Sequence, residues 1–232
     1  MTLIVGLQGE DHLVFAADTL AWDGMKQGFY KFHTSKLRSI ARNWICGTAG
    51  TTIGADVQAQ ISAAAETFPE NLDVGAAQYA LRTLELYRKT QYVGETSFLL
   101  GGFNQEGPVM YRWNLPGYSG PTCCRAGRSA IGVGEHGAMH FAAAYHKTSL
   151  TRQQRLLLAY FCVYEVVRDD PRVGTPIEMA ICKRDGITTC TESELAYYRN
   201  ESEKLSAYLS EKFASPSDRR DPLLMSYPDG IT

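Results

Sequence analysis

The chain begins with two short apolar runs, Leu3-Ile4-Val5-Gly6-Leu7-Gln8 and Leu13-Val14-Phe15-Ala16-Ala17-Asp18, separated by the polar stretch Gly9-Glu10-Asp11-His12. Such runs on either side of a turn-forming cluster predict a hairpin that starts with the first residues of the chain. Strand-like pieces follow at residues 29–40 and 43–50. The period then changes: Ile53, Val57, Ile61 and Ala64 recur at helical spacing, and Val74, Ala77, Leu81 and Leu84 form the apolar face of a second helix from about 74 to 87. Pro69 and Asn71 separate the two. Residues 96–104, 109–114 and 129–134 return to short β-rich runs bounded by Gly and Pro. Residues 136–147 and 151–170 read as helices, and 177–190 as a hairpin with Asp185-Gly186 at its turn.

The order is a β block, two helices, a second β block, two more helices and a last hairpin. Strands in hairpin-sized groups between helix pairs argue against the strict β-α-β alternation of a parallel sheet. They fit an α+β fold in which two antiparallel sheets pack face to face with helices outside, a four-layer α-β-β-α sandwich. That domain accounts for residues 1–190. Residues 191–232, a polar helix to about Phe213 and then a tail with three prolines, read as an appendage to it.

Composition narrows the function classes. Lys plus Arg number 23 against 25 Asp plus Glu, a net charge of −2, so no global field favours nucleic acid or an anionic membrane. No apolar stretch approaches the roughly 18 residues of a spanning helix, and the start lacks the basic n-region of an export signal. The expected location is the cytoplasm. The six cysteines, at 46, 123, 124, 162, 182 and 190, include no C-x-x-C pair and sit mostly in apolar runs, which reads as reduced thiols.

Chemistry first suggests itself at Thr2. Removal of Met1 exposes this threonine as the N-terminus at the start of a strand, where one residue supplies both nucleophile and base. An α-amino group, with an ordinary pKa of roughly 7.7 to 8.0, accepts the hydroxyl proton near neutral pH.

Thr2-Leu3-Ile4-Val5-Gly6, Val14-Phe15-Ala16-Ala17-Asp18-Thr19, Ser35-Lys36-Leu37-Arg38-Ser39-Ile40 and Gly47-Thr48-Ala49-Gly50-Thr51 together resemble the first quarter of a proteasome β-type subunit of the N-terminal-nucleophile (Ntn) hydrolases. The likeness continues in Phe98-Leu99-Leu100-Gly101-Gly102-Phe103, in Ala130-Ile131-Gly132-Val133-Gly134, and in Arg168-Asp169 ahead of Ile177-Glu178-Met179-Ala180, spanning residues 2 to 190. The resemblance implies Thr2 as nucleophile and Asp18 as the acid sixteen residues on. It assigns a lysine to the next strand pair. Lys36 fits best although it lies two positions beyond the usual spacing, with Lys31 and Lys26 as competitors. Gly50 falls where a backbone N–H serves as oxyanion donor, and Asp169 corresponds to the acid that positions the N-terminal residue.

The chain also departs from the family pattern. Glu135 stands where a serine bonds the threonine amine, Arg172 stands in place of a further serine after Asp169, and Leu20 replaces an arginine. A pairing of Glu135 with Arg172 is one expectation; a raised amine pKa beside Glu135 is another.

The segment Gly132-Val133-Gly134-Glu135-His136-Gly137 matches a dinucleotide fingerprint, but it lies mid-chain with no β-α-β unit around it and no acid some 20 residues on, so a tight turn explains it better. His136, His140 and His146 lack the spacing of a metal site. Asn200-Glu201-Ser202 is a glycosylation acceptor only in a secreted chain. The resemblance implies a threonine endopeptidase subunit of stacked homo-oligomeric rings with no metal or organic cofactor, unfolded peptides as substrates and an ATP-dependent unfoldase as candidate partner. With only Met1 before the threonine, the resemblance leads to the expectation of maturation by a methionine aminopeptidase without self-cleavage. An inactive scaffold subunit and a hydrolase of small amides on the same fold are the alternatives.

Overall fold

The computed structural model describes residues 2–25, 28–50, 71–89 and 94–214. The first hairpin, β1 (Leu3–Gln8) and β2 (His12–Asp18), is apolar at nearly every position because both of its faces are covered. Leu3, Val5, Leu7, Val14 and Ala16 point into one core, shared with Ala138 and Ala142 of α2 (Glu135–Tyr145) and Leu156, Ala159 and Val163 of α3 (Arg152–Asp169). Ile4, Leu13, Phe15 and Ala17 point the opposite way, into a core shared with Ile45, Leu99 and Met110 of a second sheet. The far face of that sheet carries Trp44, Cys46, Phe98, Leu100 and Trp113, which pack on Leu72, Ala76, Tyr79 and Ala80 of α1 (Leu72–Lys89). Three cores between four layers make the α-β-β-α sandwich that the sequence predicts.

The first sheet runs β10-β1-β2-β11-β12, where β10 is Arg128–Gly132, β11 Ile177–Lys183 and β12 Gly186–Thr189. The second runs β5-β6-β7-β8-β9, from β5 (Leu37–Ala41) and β6 (Trp44–Ala49) through β7 (Thr96–Phe103) and β8 (Pro108–Leu115) to β9 (Thr122–Cys123). All ladders are antiparallel. Residues 29–40 are two strands and not one: β4 (Gly28–His33) pairs with β3 (Leu20–Met25) in a separate ribbon, and the chain then crosses at residues 34–36 into β5. The last helix, α4 (Glu192–Ala214), packs on α3, sending Tyr198 into the first core and accepting at Ser206 a hydrogen bond from Arg168.

One sequence expectation is corrected on α1. Val74 and Leu81 are about half exposed, and the buried face consists of Leu72, Ala76, Tyr79, Ala80, Thr83 and Tyr87. That face tolerates its hydroxyl because Trp113 Nε1 donates to Thr83 Oγ1 at 3.0 Å, which in turn donates to Ala80 O at 2.7 Å. Tyr79 meets the same indole edge-on, with 5.8 Å between ring centroids. Counting aliphatic residues alone selects the wrong side of such a helix. In the last hairpin Lys183 faces Gly186, so Arg184 and Asp185 form the turn, one position earlier than the Asp-Gly pair suggests. The helical stripe at residues 53–64 and the tail from 215 lie outside the described residues.

Candidate active site

Thr2 is fixed through its backbone. Its carbonyl accepts a hydrogen bond from Val133 N at 2.8 Å, and Leu3 pairs with Gly132 across the β1–β10 ladder. Gly132 has φ +99°, and a β-carbon there would stand 1.9 Å from Thr2 O, so only glycine lets β10 end this close to the start of the chain. Thr2 is buried, and borders a cleft of about 370 Å³ with Gly50, Glu95, Ser97, Arg112 and Glu135. Gly50, the residue after β6, has φ +123°, and a β-carbon on it would meet Glu95 O at 2.3 Å.

Behind Thr2 lies a buried ion pair. The β1–β2 register sets Ile4 against Ala17, which brings Asp18 level with Leu3. Asp18 has no exposed surface, and its Oδ1 accepts hydrogen bonds from Leu3 N at 2.7 Å and from Lys36 Nζ at 2.8 Å. Its Oδ2 accepts from Gly174 N at 3.2 Å, in the loop between α3 and β11. Lys36 Nζ also donates to Leu20 O at 2.6 Å. The ammonium and the backbone that carries Thr2 therefore meet on one carboxylate oxygen. Burial pushes the Lys36 amine below its ordinary value of 10.5, while the charge and hydrogen bond of Asp18, and then the charge of Glu178, pull it back up.

The backbone of Lys36 is held as firmly as its side chain. Glu178, on β11, accepts from Lys36 N at 2.5 Å and Leu37 N at 3.1 Å through Oε1, and from the Ser35 hydroxyl at 2.7 Å through Oε2. Burial raises its carboxyl above the ordinary range, opposed by these donors and by the Lys36 charge.

The structure thus brings Thr2, Asp18, Lys36, Gly50 and Glu135 to one place, and leaves Asp169 out of it. Asp169 is the exposed last residue of α3 and does not border the cleft. Arg172 bonds Asp170, with Nη2 to Oδ2 at 2.6 Å, and not Glu135, which lies 4.0 Å from Arg112 instead. Lys31 is exposed on β4, and Lys26 lies outside the described residues. The fingerprint-like glycines fall on the end of β10, the turn after it and the first turns of α2: Gly132 ends the strand, Gly134 has φ +78° and caps α2, and Gly137 lies within that helix. Among the described residues no group of His, Cys, Asp and Glu could hold a metal ion. Glu178, Gly174 and Arg112 are the contributors that sequence reasoning missed. A trace of Glu178 was present as the one acid inside the apolar run Ile177–Cys182.

The family model described as Proteasome subunit matches residues 2–182. Among solved structures, the Anbu (Gly-1) mutant from Hyphomicrobium sp. strain MC1 superposes with a TM-score of 0.75 at 19% identity, over 93% of this chain and 97% of that one. At that identity the likeness shows the fold. No curated protein matches the chain significantly.

Proposed function

The chain belongs to the proteasome subunit family, and from that premise we propose that it is a threonine endopeptidase subunit of a ring assembly, active once Met1 is removed. The observation that carries this reading is the shared oxygen of Asp18, which joins Lys36 Nζ to the backbone next to Thr2 at the edge of a cleft.

In the first half of the reaction the Thr2 hydroxyl gives its proton to its own α-amine, and Oγ1 adds to the peptide carbonyl carbon. The Lys36 ammonium stays protonated throughout. It stabilises the developing alkoxide, and Asp18 holds it charged and aimed. The Gly50 N–H stabilises the tetrahedral oxyanion from a backbone that no side chain crowds. The C–N bond then breaks, the amine returns its proton to the leaving nitrogen, and an ester remains on Thr2. In the second half water adds to that ester with the α-amine again as base, releasing the acid and restoring Thr2.

Glu135 and Arg112 border the cleft and make its floor polar and charged. The working assembly is a ring of copies in the cytoplasm, supplied with unfolded peptide, with an ATP-dependent unfoldase as the candidate feeder. An inactive scaffold subunit is the rival reading, drawn from Asp169 lying outside the cleft and Glu135 lying within it. Intact mass of the purified N-terminus separates the two, since a retained Met1 blocks the amine. Thr2→Ala abolishes peptide hydrolysis and labelling by electrophiles that bridge hydroxyl and amine while leaving the oligomer mass unchanged; persistent turnover rejects the threonine mechanism. A small oligomer that cleaves only small amides identifies the amidase alternative.

A further inference from the structure

Residues 34–36 carry the chain from the β3–β4 ribbon to β5; Thr34 N still bonds Thr19 O at 2.9 Å, but Lys36 N and Leu37 N turn to a side chain instead of a neighbouring strand. The side chain of Glu178 stands where that strand would be, taking Lys36 N, Leu37 N and the Ser35 hydroxyl. The two backbone donors share Oε1, and a neutral amide oxygen would take both without the cost of a half-buried charge, while the Ser35 hydroxyl also lies 3.0 Å from Leu37 O. The charge therefore needs a separate explanation, and Lys36 supplies one. Among the described residues, the charged groups that act on its amine are Asp18, from β2, and Glu178, from β11.

We propose that Glu178 is a positioning residue for Lys36: it fixes the backbone from which the lysine projects, and its negative charge helps keep the side chain an ammonium at Asp18. The inference rests on the functional reading above only in what Lys36 is for. Asp18 alone offsets the burial of the amine incompletely, since the amine still lies below its ordinary value. Glu178 is the second anion, placed on the strand next to β2, where Glu178 pairs with Ala17 and Ile177 with Asp18. One ladder thus delivers both carboxylates to one lysine from adjacent positions.

Two variants separate the clamp from the charge. Glu178→Gln keeps an acceptor for Lys36 N and Leu37 N but removes the charge. Its kcat at the optimum stays within about 3-fold of wild type, KM is unchanged, and the alkaline limb of the pH profile moves down by about one unit. Glu178→Ala loses both, and kcat falls about 10- to 100-fold at constant KM because the lysine is no longer held in register. The same comparison is made without turnover by NMR titration of ε-labelled lysine in the full-length assembled protein, the Lys36 signal being identified by its absence in Lys36→Arg. A lower Lys36 titration midpoint in Glu178→Gln supports the inference, and an unchanged midpoint overturns it, whether or not Glu178→Ala folds. Should Thr2→Ala retain hydrolysis, the threonine mechanism fails while the Lys36 titration still decides the role of Glu178.

Discussion

Replacing Asp18 by Asn tests the site where its electrostatics are strongest. The Lys36–Asp18 contact is 2.8 Å long, with 5% and 0% of the two side chains exposed. At an effective dielectric of about 20, two unit charges at that distance attract by about 6 kcal/mol, which is what offsets the burial of the amine. Asn keeps an oxygen for Leu3 N but presents its NH₂ to the Gly174 N–H, so one hydrogen bond is lost, about 1–2 kcal/mol at any pH. The larger loss depends on pH. Without Asp18 the amine enters the folded state uncharged, and forcing that on a group whose ordinary value is 10.5 costs up to about 4 kcal/mol at pH 7.5. The sign follows from the folded value lying below the unfolded one. The native state binds fewer protons in that window, so stability rises with pH toward 10.5 while activity, which needs the ammonium, falls. Urea unfolding of Asp18→Asn and wild type between pH 6.5 and 9.5 should show a deficit that shrinks as pH rises, beside a kcat/KM whose alkaline limb has moved toward neutrality. A deficit that is the same at every pH, with the limb unmoved, would falsify the claim that this carboxylate maintains the lysine charge.

Three further expectations follow from other parts of the molecule. Gly50→Ala forces a side chain into φ +123° and against Glu95 O, so it should cost a few kcal/mol and abolish peptide turnover; a variant with normal stability and activity removes Gly50 as oxyanion donor. Thr83→Val leaves Trp113 Nε1 without its acceptor at nearly constant volume, and urea unfolding should record a loss of about 1–3 kcal/mol. His146 is buried, and its pKa is pushed down to about 4, chiefly by burial and then by Arg155 and Arg128, so its folded form resists protonation and stability falls as pH drops from 6.5 toward 4. His146→Leu should flatten that acid slope, seen as a smaller difference between urea midpoints at pH 7 and pH 4.5 than in wild type.

What the sequence makes legible here depends on how many independent choices separate two residues. Thr2 and Asp18 are linked by two strands and one tight turn, and a period of two leaves little freedom, so their spacing alone brings Asp18 level with Leu3, the residue next to Thr2. Between Asp18 and Lys36 lies the β3–β4 ribbon, which leaves the first sheet and returns to the second; three lysines are consistent with the spacing, and only the closing of the two sheets brings Lys36 Nζ, buried, onto Asp18. At the end of α3 the uncertainty is a matter of phase. Successive helical residues point about 100° apart, so Arg168-Asp169-Asp170 cannot reveal which acid turns inward, and the chain uses Asp170 to hold Arg172 while Asp169 faces solvent. Glu178 is hidden for a different reason. Its partners are more than 140 residues away, and nothing near it in the chain distinguishes an acid that clamps a backbone from one that faces water. The β2–β11 ladder resolves the matter, because once Ile177 is set against Asp18 the next residue along stands beside the same lysine. The parts of the site that a reader of the sequence finds are those joined by local register, and the parts that tune it are those joined only by the closing of the sheet.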